Sequence, residues 1–204
     1  MSDMEKSLSA EFDTIVKAFD FDGEMAEKCR DLLSVVDSEM DDFAAYYWEY
    51  WVNFSKTDQL RNPEYVAQMV RSTAAYIRER MRDINGLGWR EYLKAQIISA
   101  CKDRVPLGHL LAASTRASLR YFEIFDAKLD AGDPARDRLV KTVHDFTSME
   151  LAVTSACFVH YQKILQREQK EGYTAQFESD IASSTADISE QANILRQQAA
   201  ASTA

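Results

Sequence analysis

Apolar residues recur at steps of three and four along most of the chain, which is the spacing of one face of an α-helix. No segment alternates apolar and polar residues in the manner of a strand. The chain has 204 residues but only six glycines and three prolines, and so few helix breakers favour long helices. We therefore predict an all-α fold, with helices over 3–20, 24–54, 63–84, 89–103, 107–130 and from 134 to beyond 169.

The stretch CKDRVPLGH, residues 101–109, joins two of these predicted helices. Pro106 cannot lie inside a helix, so the first of the two must end near Arg104. His109, just after the corner, falls on the same helical face as Arg116 and Arg120. His109 is therefore expected to be a surface histidine rather than a metal ligand.

Composition and charge exclude several classes of partner. The formal net charge is −9, whereas nucleic-acid binding requires a basic face. No apolar run reaches the roughly 18–20 residues of a membrane span. The N-terminal segment lacks the features of a secretory signal, and the three cysteines form no CxxC motif. These features predict a cytoplasmic protein without a membrane span or a nucleic-acid partner.

The sequence contains none of the motifs that usually carry catalysis. Glycine-rich phosphate loops, HExxH and GxSxG are all absent. A di-iron site of the ExxH type needs a glutamate three residues before a histidine, and none precedes His109, His144 or His160 in this way. We therefore expect no enzymatic activity and no metal site built from protein ligands alone.

The last long helix carries two apolar stripes, although a helix on the outside of a monomer needs only one. The first stripe is Val140, Val143, Leu151, Phe158, Tyr161 and Leu165. The second stripe is Phe146, Met149, Val153, Cys157, His160 and Ile164. We predict that the second stripe forms a homodimer interface. The alternative is that both stripes belong to one wide buried face.

The C-terminal segment differs in composition, because it is rich in Ala, Ser, Thr and Gln. Ile181, Ile188 and Leu195 recur every seven residues, which is a short heptad pattern. This segment is expected to begin a helix that continues in a longer protein; a frayed terminus is the alternative.

The order of the helices and the segment MELAVTSACFVHY, residues 149–161, resemble the globin-coupled sensors over about residues 25–168. The C-terminal segment is similar to the start of a chemoreceptor signalling helix. The resemblance implies a globin fold with an extra N-terminal helix (1–22), a sensor domain (23–172) and a signalling extension (173–204). It further implies the input domain of a cytoplasmic methyl-accepting chemotaxis receptor. The domain would be homodimeric, with its signalling domain in the same longer chain.

The segment YLKAQIISACKDRVPL, residues 92–107, is similar to the family's haem-binding motif, with Lys102 at the position of the histidine that binds iron. A lysine ammonium has no free lone pair for iron. The resemblance also puts Tyr47 in the pocket, where we expect Tyr76 as well. We therefore predict a sensor of a non-haem stimulus. The alternatives are a haem b gas sensor with another iron ligand, His109 first, and a helical dimerisation module without a ligand.

Overall fold

The computed structural model describes residues 3–54, 58–130 and 132–201, and the side chains of 8–54, 58–130 and 132–188. No described residue lies in a strand, so the all-α prediction is confirmed. The α-helices are α1 (Asp3–Phe19), α2 (Met25–Val36), α3 (Met40–Phe54), α4 (Pro63–Arg82), α5 (Gly88–Lys102), α6 (Leu107–Lys128) and α7 (Pro134–Ala201). Short 3-10 helices cover Asp37–Glu39 and Asp58–Arg61.

These helices form two compact units, Met1–Tyr161 and Gln162–Ala204. Helix α1 belongs to the core of the first unit, because Leu8, Phe12 and Val16 are buried there. The Phe12 ring lies 6.0 Å from the ring of Trp89 on α5. The extra N-terminal helix expected over 1–22 is therefore integrated into the first unit.

The single helix predicted for 24–54 is interrupted by the 3-10 helix at Asp37–Glu39. Arg78 of α4 holds this break, because its Nε donates to Asp37 Oδ1 at 2.6 Å and its Nη2 to the Asp37 carbonyl at 3.0 Å. Asp and Ser side chains compete with the helix backbone for hydrogen bonds, which favours a break at this point. The apolar spacing continues across the break, so periodicity alone did not reveal it.

The corner at 101–109 is a helix C-terminus followed immediately by a new helix. Arg104 has a φ of 56°, in the left-handed region. The Arg104 N–H donates to the Cys101 carbonyl at 3.2 Å, and the Val105 N–H donates to the Ala100 carbonyl at 2.8 Å. This pair of bonds is the Schellman arrangement, in which the left-handed residue is usually glycine. Pro106 then precedes α6 as its N-cap residue.

Replacing Arg104 by glycine is expected to stabilise the protein, because a left-handed backbone costs a non-glycine residue about 1–2 kcal/mol. The greater freedom of glycine in the unfolded chain offsets part of this gain, which leaves about 0.5–1 kcal/mol. Thermal unfolding of Arg104→Gly should give a higher midpoint than Arg104→Ala, which keeps the Cβ. Equal midpoints for the two variants would contradict the assigned backbone conformation.

In the second unit, the described part of α7 carries apolar side chains that are exposed to solvent. Tyr173, Phe177, Ile181 and Ile188 are all exposed. The side chain of Leu195, the third member of the predicted heptad, lies outside the described residues. Among the described helices, none combines the length and the apolar character required to cross a membrane.

Candidate functional site

A cavity of about 290 Å³ lies inside the first unit, between α3, α4, α5, α6 and α7. Aromatic rings form much of its wall, and the remainder combines aliphatic side chains with hydroxyl, amide and charged groups. The aromatic residues of the wall are Phe43, Tyr47, Trp48, Trp51, Tyr65, Tyr76, Tyr92 and Tyr121. Three further lining residues, Gln59, Ser99 and Asp103, are exposed, which indicates that the cavity opens to solvent beside them.

The aromatic wall is held in place by contacts between helices. The Trp48 indole N–H donates to Thr73 Oγ1 at 2.8 Å, which ties α3 to α4. The Tyr76 and Tyr92 rings stack with centroids 4.7 Å apart, which ties α4 to α5. The Tyr47 ring meets the Trp48 ring edge-on at 5.8 Å. These ring positions are therefore fixed by packing before any ligand arrives.

A buried ion pair crosses the cavity wall from α4 to α7. Arg80 is 1% exposed, and its Nη1 lies 3.1 Å from Glu150 Oε1. The same nitrogen donates to the Tyr76 hydroxyl at 2.9 Å. The guanidinium also lies 4.3 Å from the centroid of the Phe146 ring, a favourable cation–π distance. Arg80 therefore joins the cavity to α7 through two contacts.

Two polar atoms of the wall have no hydrogen-bond partner. They are Arg80 Nε and the Tyr92 hydroxyl, which are buried and unpaired among the described residues. Burial raises the pKa of Tyr92, and the nearby Thr73 hydroxyl lowers it in part without reaching hydrogen-bonding geometry. Buried polar groups are usually paired, so such atoms point to a missing water or ligand.

The charge of Arg80 persists in this site. Burial lowers the pKa of Arg80, but the Glu150 carboxylate and the Tyr76 hydroxyl together raise it above its ordinary value. Burial also raises the pKa of Tyr47, Tyr76 and Tyr121, so these hydroxyls stay protonated at neutral pH. The wall therefore offers one internally neutralised ion pair and several neutral phenols.

The residues predicted for the pocket divide into two groups. Tyr47 and Tyr76 both line the cavity. The prediction that Lys102 stands in the pocket is wrong, because its side chain is exposed and does not line the cavity. The reason is helical geometry: Ile97 and Ala100 line the cavity from α5, and at about 100° per residue Lys102 is rotated by roughly 140–160° from both.

His109 does not line the cavity either. The residue is half-buried rather than fully on the surface, because its ring lies 4.1 Å from the ring of Phe54. Its Nδ1 lies 3.4 Å from the Tyr50 hydroxyl. Among the described residues, no group of three or more His, Cys, Asp or Glu side chains is arranged to hold a metal ion.

The predicted dimer stripe on α7 is wrong for four of its six residues. Phe146, Met149, Val153 and Cys157 are each 0% exposed in the first unit, because this side of α7 packs on the protein's own core. Contacts of α7 with α4 and α5 illustrate this, such as Phe146 against Arg80. The wide buried face is therefore the correct interpretation. His160 and Ile164, the last two residues of the stripe, are half-buried.

Sequence reasoning missed Arg80, Glu150 and Tyr92. For Arg80 a signal was present, because it follows Tyr76 by four residues and Ile77 by three, which puts a charged residue in an apolar stripe. Charged residues are almost never fully buried unless paired. Glu150 gave no such signal, since it lies among mixed residues of α7.

Comparison with known proteins gave no match: no protein-family model, no curated protein and no solved structure is detectably similar to this chain.

Proposed function

We propose that the first unit is a sensory input domain with a globin-like fold, in which a small non-haem molecule binds in the cavity. The observation that carries this proposal is the Arg80–Glu150 pair, which connects the cavity wall on α4 to α7. The chain would serve a cytoplasmic chemotaxis receptor, as its resemblance to the globin-coupled sensors implies. It would act by binding and conformational change rather than by catalysis.

The lining of the cavity does not suit haem, which the resemblance also implies. Proteins usually hold haem iron through histidine, cysteine, methionine or tyrosine. Among the described residues that line the cavity, no histidine, cysteine or methionine occurs. Tyrosine binds iron as a phenolate, whereas burial raises the pKa of Tyr47, Tyr76 and Tyr121 and opposes that form. The donor set therefore favours a different ligand.

The mechanism would use Arg80 as the link between ligand and helix. A molecule that contacts the guanidinium changes the position or hydrogen bonding of Arg80, and Glu150 follows because the two groups are paired. Shifts of about 1–2 Å between packed helices are an established means of signalling. A ligand can shift the equilibrium only by its differential affinity for the two arrangements, so its contact with Arg80 must change between them.

An absorption spectrum tests the haem-free part of the proposal. Protein purified from a haem-replete host is expected to show little or no Soret absorption. A sharp band at one haem per chain would favour the alternative, a haem-based gas sensor. If that band then disappeared in His109→Ala, the cavity would also be the wrong place for the site, because His109 lies outside it.

A homodimer is part of the proposal, and exposed apolar residues on α6 and α7 support it. Leu119 on α6 is 55% exposed and Val159 on α7 is 46% exposed, and both are apolar. Antiparallel pairing of these two helices with their copies would bury both residues in a four-helix bundle.

Leu119→Glu is expected to convert the dimer to a monomer, because it introduces a charge into the proposed contact. Sedimentation at micromolar concentration measures the change, and circular dichroism checks that the helix content is kept. Val52→Glu, at an exposed valine of α3, is the matched control and should stay dimeric. A wild-type protein that sediments as a monomer would remove the interface.

The second unit would pass the signal to a signalling domain in the same longer chain. Its exposed Tyr173, Phe177, Ile181 and Ile188 support this role, because apolar side chains on a single helix are normally covered by a partner helix. In this proposal the partner helix is the same segment of the second protomer.

A further inference from the structure

Two unpaired polar atoms belong to residues that line the cavity, namely Arg80 Nε and the Tyr92 hydroxyl. We propose that the ligand is a small, flat, uncharged molecule with a hydrogen-bond acceptor, such as a carbonyl oxygen, that these two groups bind. The inference rests on the proposed function in one respect, since it takes the cavity to be a ligand site.

The two groups lie in the same part of the cavity. The Tyr76 ring stacks on the Tyr92 ring at 4.7 Å, and the Arg80 guanidinium carbon lies 4.9 Å from the centroid of the Tyr76 ring. Tyr76 therefore contacts both residues, and in the proposed complex a single ligand would bridge the two groups beside the Tyr76 ring. Both Arg80 Nε and the Tyr92 hydroxyl can donate a hydrogen bond, so the complementary group is an acceptor.

The flat shape follows from the walls of the cavity. Trp48 and Trp51 line it from α3, and Tyr76 and Tyr92 line it from α4 and α5. Aromatic side chains pack well against flat rings, in stacked or edge-on arrangements. A volume of about 290 Å³ lies at the lower end of the roughly 300–1,000 Å³ typical of ligand pockets, which suits a molecule of one or two rings.

The lack of charge follows from the ion pair. Glu150 already neutralises Arg80, so no spare cation is present among the described lining residues to receive an anion. Asp103 lines the cavity as well and would repel one. Burying an unpaired charge is costly, whereas a neutral acceptor only replaces the water that would otherwise bond these groups.

Three probes of similar shape separate these requirements. Benzamide is flat and uncharged and carries a carbonyl oxygen; benzoate keeps the shape but carries a charge; toluene lacks the acceptor. Binding is measured by the fluorescence of Trp48 and Trp51, which line the cavity. The thermal unfolding midpoint gives a second readout, since a ligand of the native state raises it. Benzamide is expected to bind at least about tenfold tighter than benzoate and about 25- to 100-fold tighter than toluene, because it forms two hydrogen bonds that each contribute about five- to tenfold.

The variant Tyr92→Phe removes one hydroxyl and keeps the ring. It is expected to weaken benzamide by about five- to tenfold and to leave toluene unchanged, because a hydrogen bond to a neutral group contributes about 1 kcal/mol. Tyr46→Phe is the matched control, because Tyr46 lies on α3 but does not line the cavity. It should bind all three probes as the wild type does.

The outcomes separate this inference from the proposed function. Equal or tighter binding of benzoate or toluene would overturn the ligand class and leave the cavity as a ligand site. Benzamide binding that Tyr92→Phe does not weaken would also overturn the inference. Failure of all three probes would overturn the inference, whereas a haem band in the purified protein would remove both the inference and the proposed function.

Discussion

Glu150→Gln is expected to lower the free energy of unfolding by about 3–5 kcal/mol, because it leaves the buried Arg80 guanidinium without its counter-charge. Whole domains are stable by only about 5–15 kcal/mol, so this is a large share of the total. Urea unfolding followed by circular dichroism measures the change. The midpoint of thermal unfolding should fall by more than about 6 °C in a chain of this size.

The variant Arg80→Met provides the comparison. It removes the guanidinium charge, which is buried away from water. The remaining Glu150 side chain is 21% exposed, so its carboxylate can still be hydrated. A smaller loss than for Glu150→Gln is therefore expected. The double variant should lose less stability than the sum of the two single losses, since the residues interact directly. If Glu150→Gln changed stability by less than about 0.5 kcal/mol, the ion pair would not join α4 to α7 as described.

Val153→Glu is expected to destabilise the fold by more than about 4 kcal/mol and to unfold much of the protein at room temperature. Val153 is 0% exposed in the core of the first unit, and an unpaired carboxylate there is among the costliest single changes. Loss of the helical signal in circular dichroism, together with a broad or absent thermal transition, is the measurement.

Val159→Glu is the matched control for this change. It introduces the same side chain on the same helix at a residue that is 46% exposed, so the helix content should be kept. A Val153→Glu protein that stays fully helical and cooperatively folded, and differs only in assembly, would show that Val153 lies at an interface between protomers. That result would support the prediction that the second apolar stripe, which contains Val153, forms a homodimer interface.

The helices of the fold were largely predictable, because their boundaries depend on local chemistry. Asn62 caps α4, its Oδ1 accepting from the Glu64 N–H at 3.0 Å, and Pro63 occupies the first helical position. Pro106 separates α5 from α6 for an equally local reason. The break at Asp37 was missed, since it depends on Arg78, which is distant in sequence and adjacent only after folding.

The partner of each apolar face could not be read from periodicity. The stripe that contains Met149 and Cys157 was predicted to contact a second protomer, because one stripe suffices to pack a helix on a monomer. In the structure α4 and α5 both pack on α7 and cover this stripe. A helix with several neighbours in its own chain buries a wider face than a helix with one neighbour. Spacing along a helix gives the width of the apolar face, and the fold decides what covers it.

The chemistry of the cavity was less predictable for a related reason. Tyr47 and Tyr76 were expected in the pocket and do line it, because both lie at regular positions on long helices. Lys102 was expected there and is exposed, since it lies on the opposite side of α5 from Ile97 and Ala100, which line the cavity. The pairing of Arg80 with Glu150 depends on two helices that are far apart in sequence, so no local sequence pattern predicts it.

Amide hydrogen exchange tests most directly whether the state of the cavity reaches α7. The protein is compared without ligand and with benzamide at the concentration that saturates its fluorescence change. We expect slower exchange on α3 and α5 beside the cavity, and also around Arg80 on α4 and across residues 147–154 of α7, where Thr147, Glu150 and Thr154 line it. If benzamide saturates the cavity and amide exchange in α7 does not change, the sensory role is contradicted. The first unit would then be a binding domain that transmits no signal to α7.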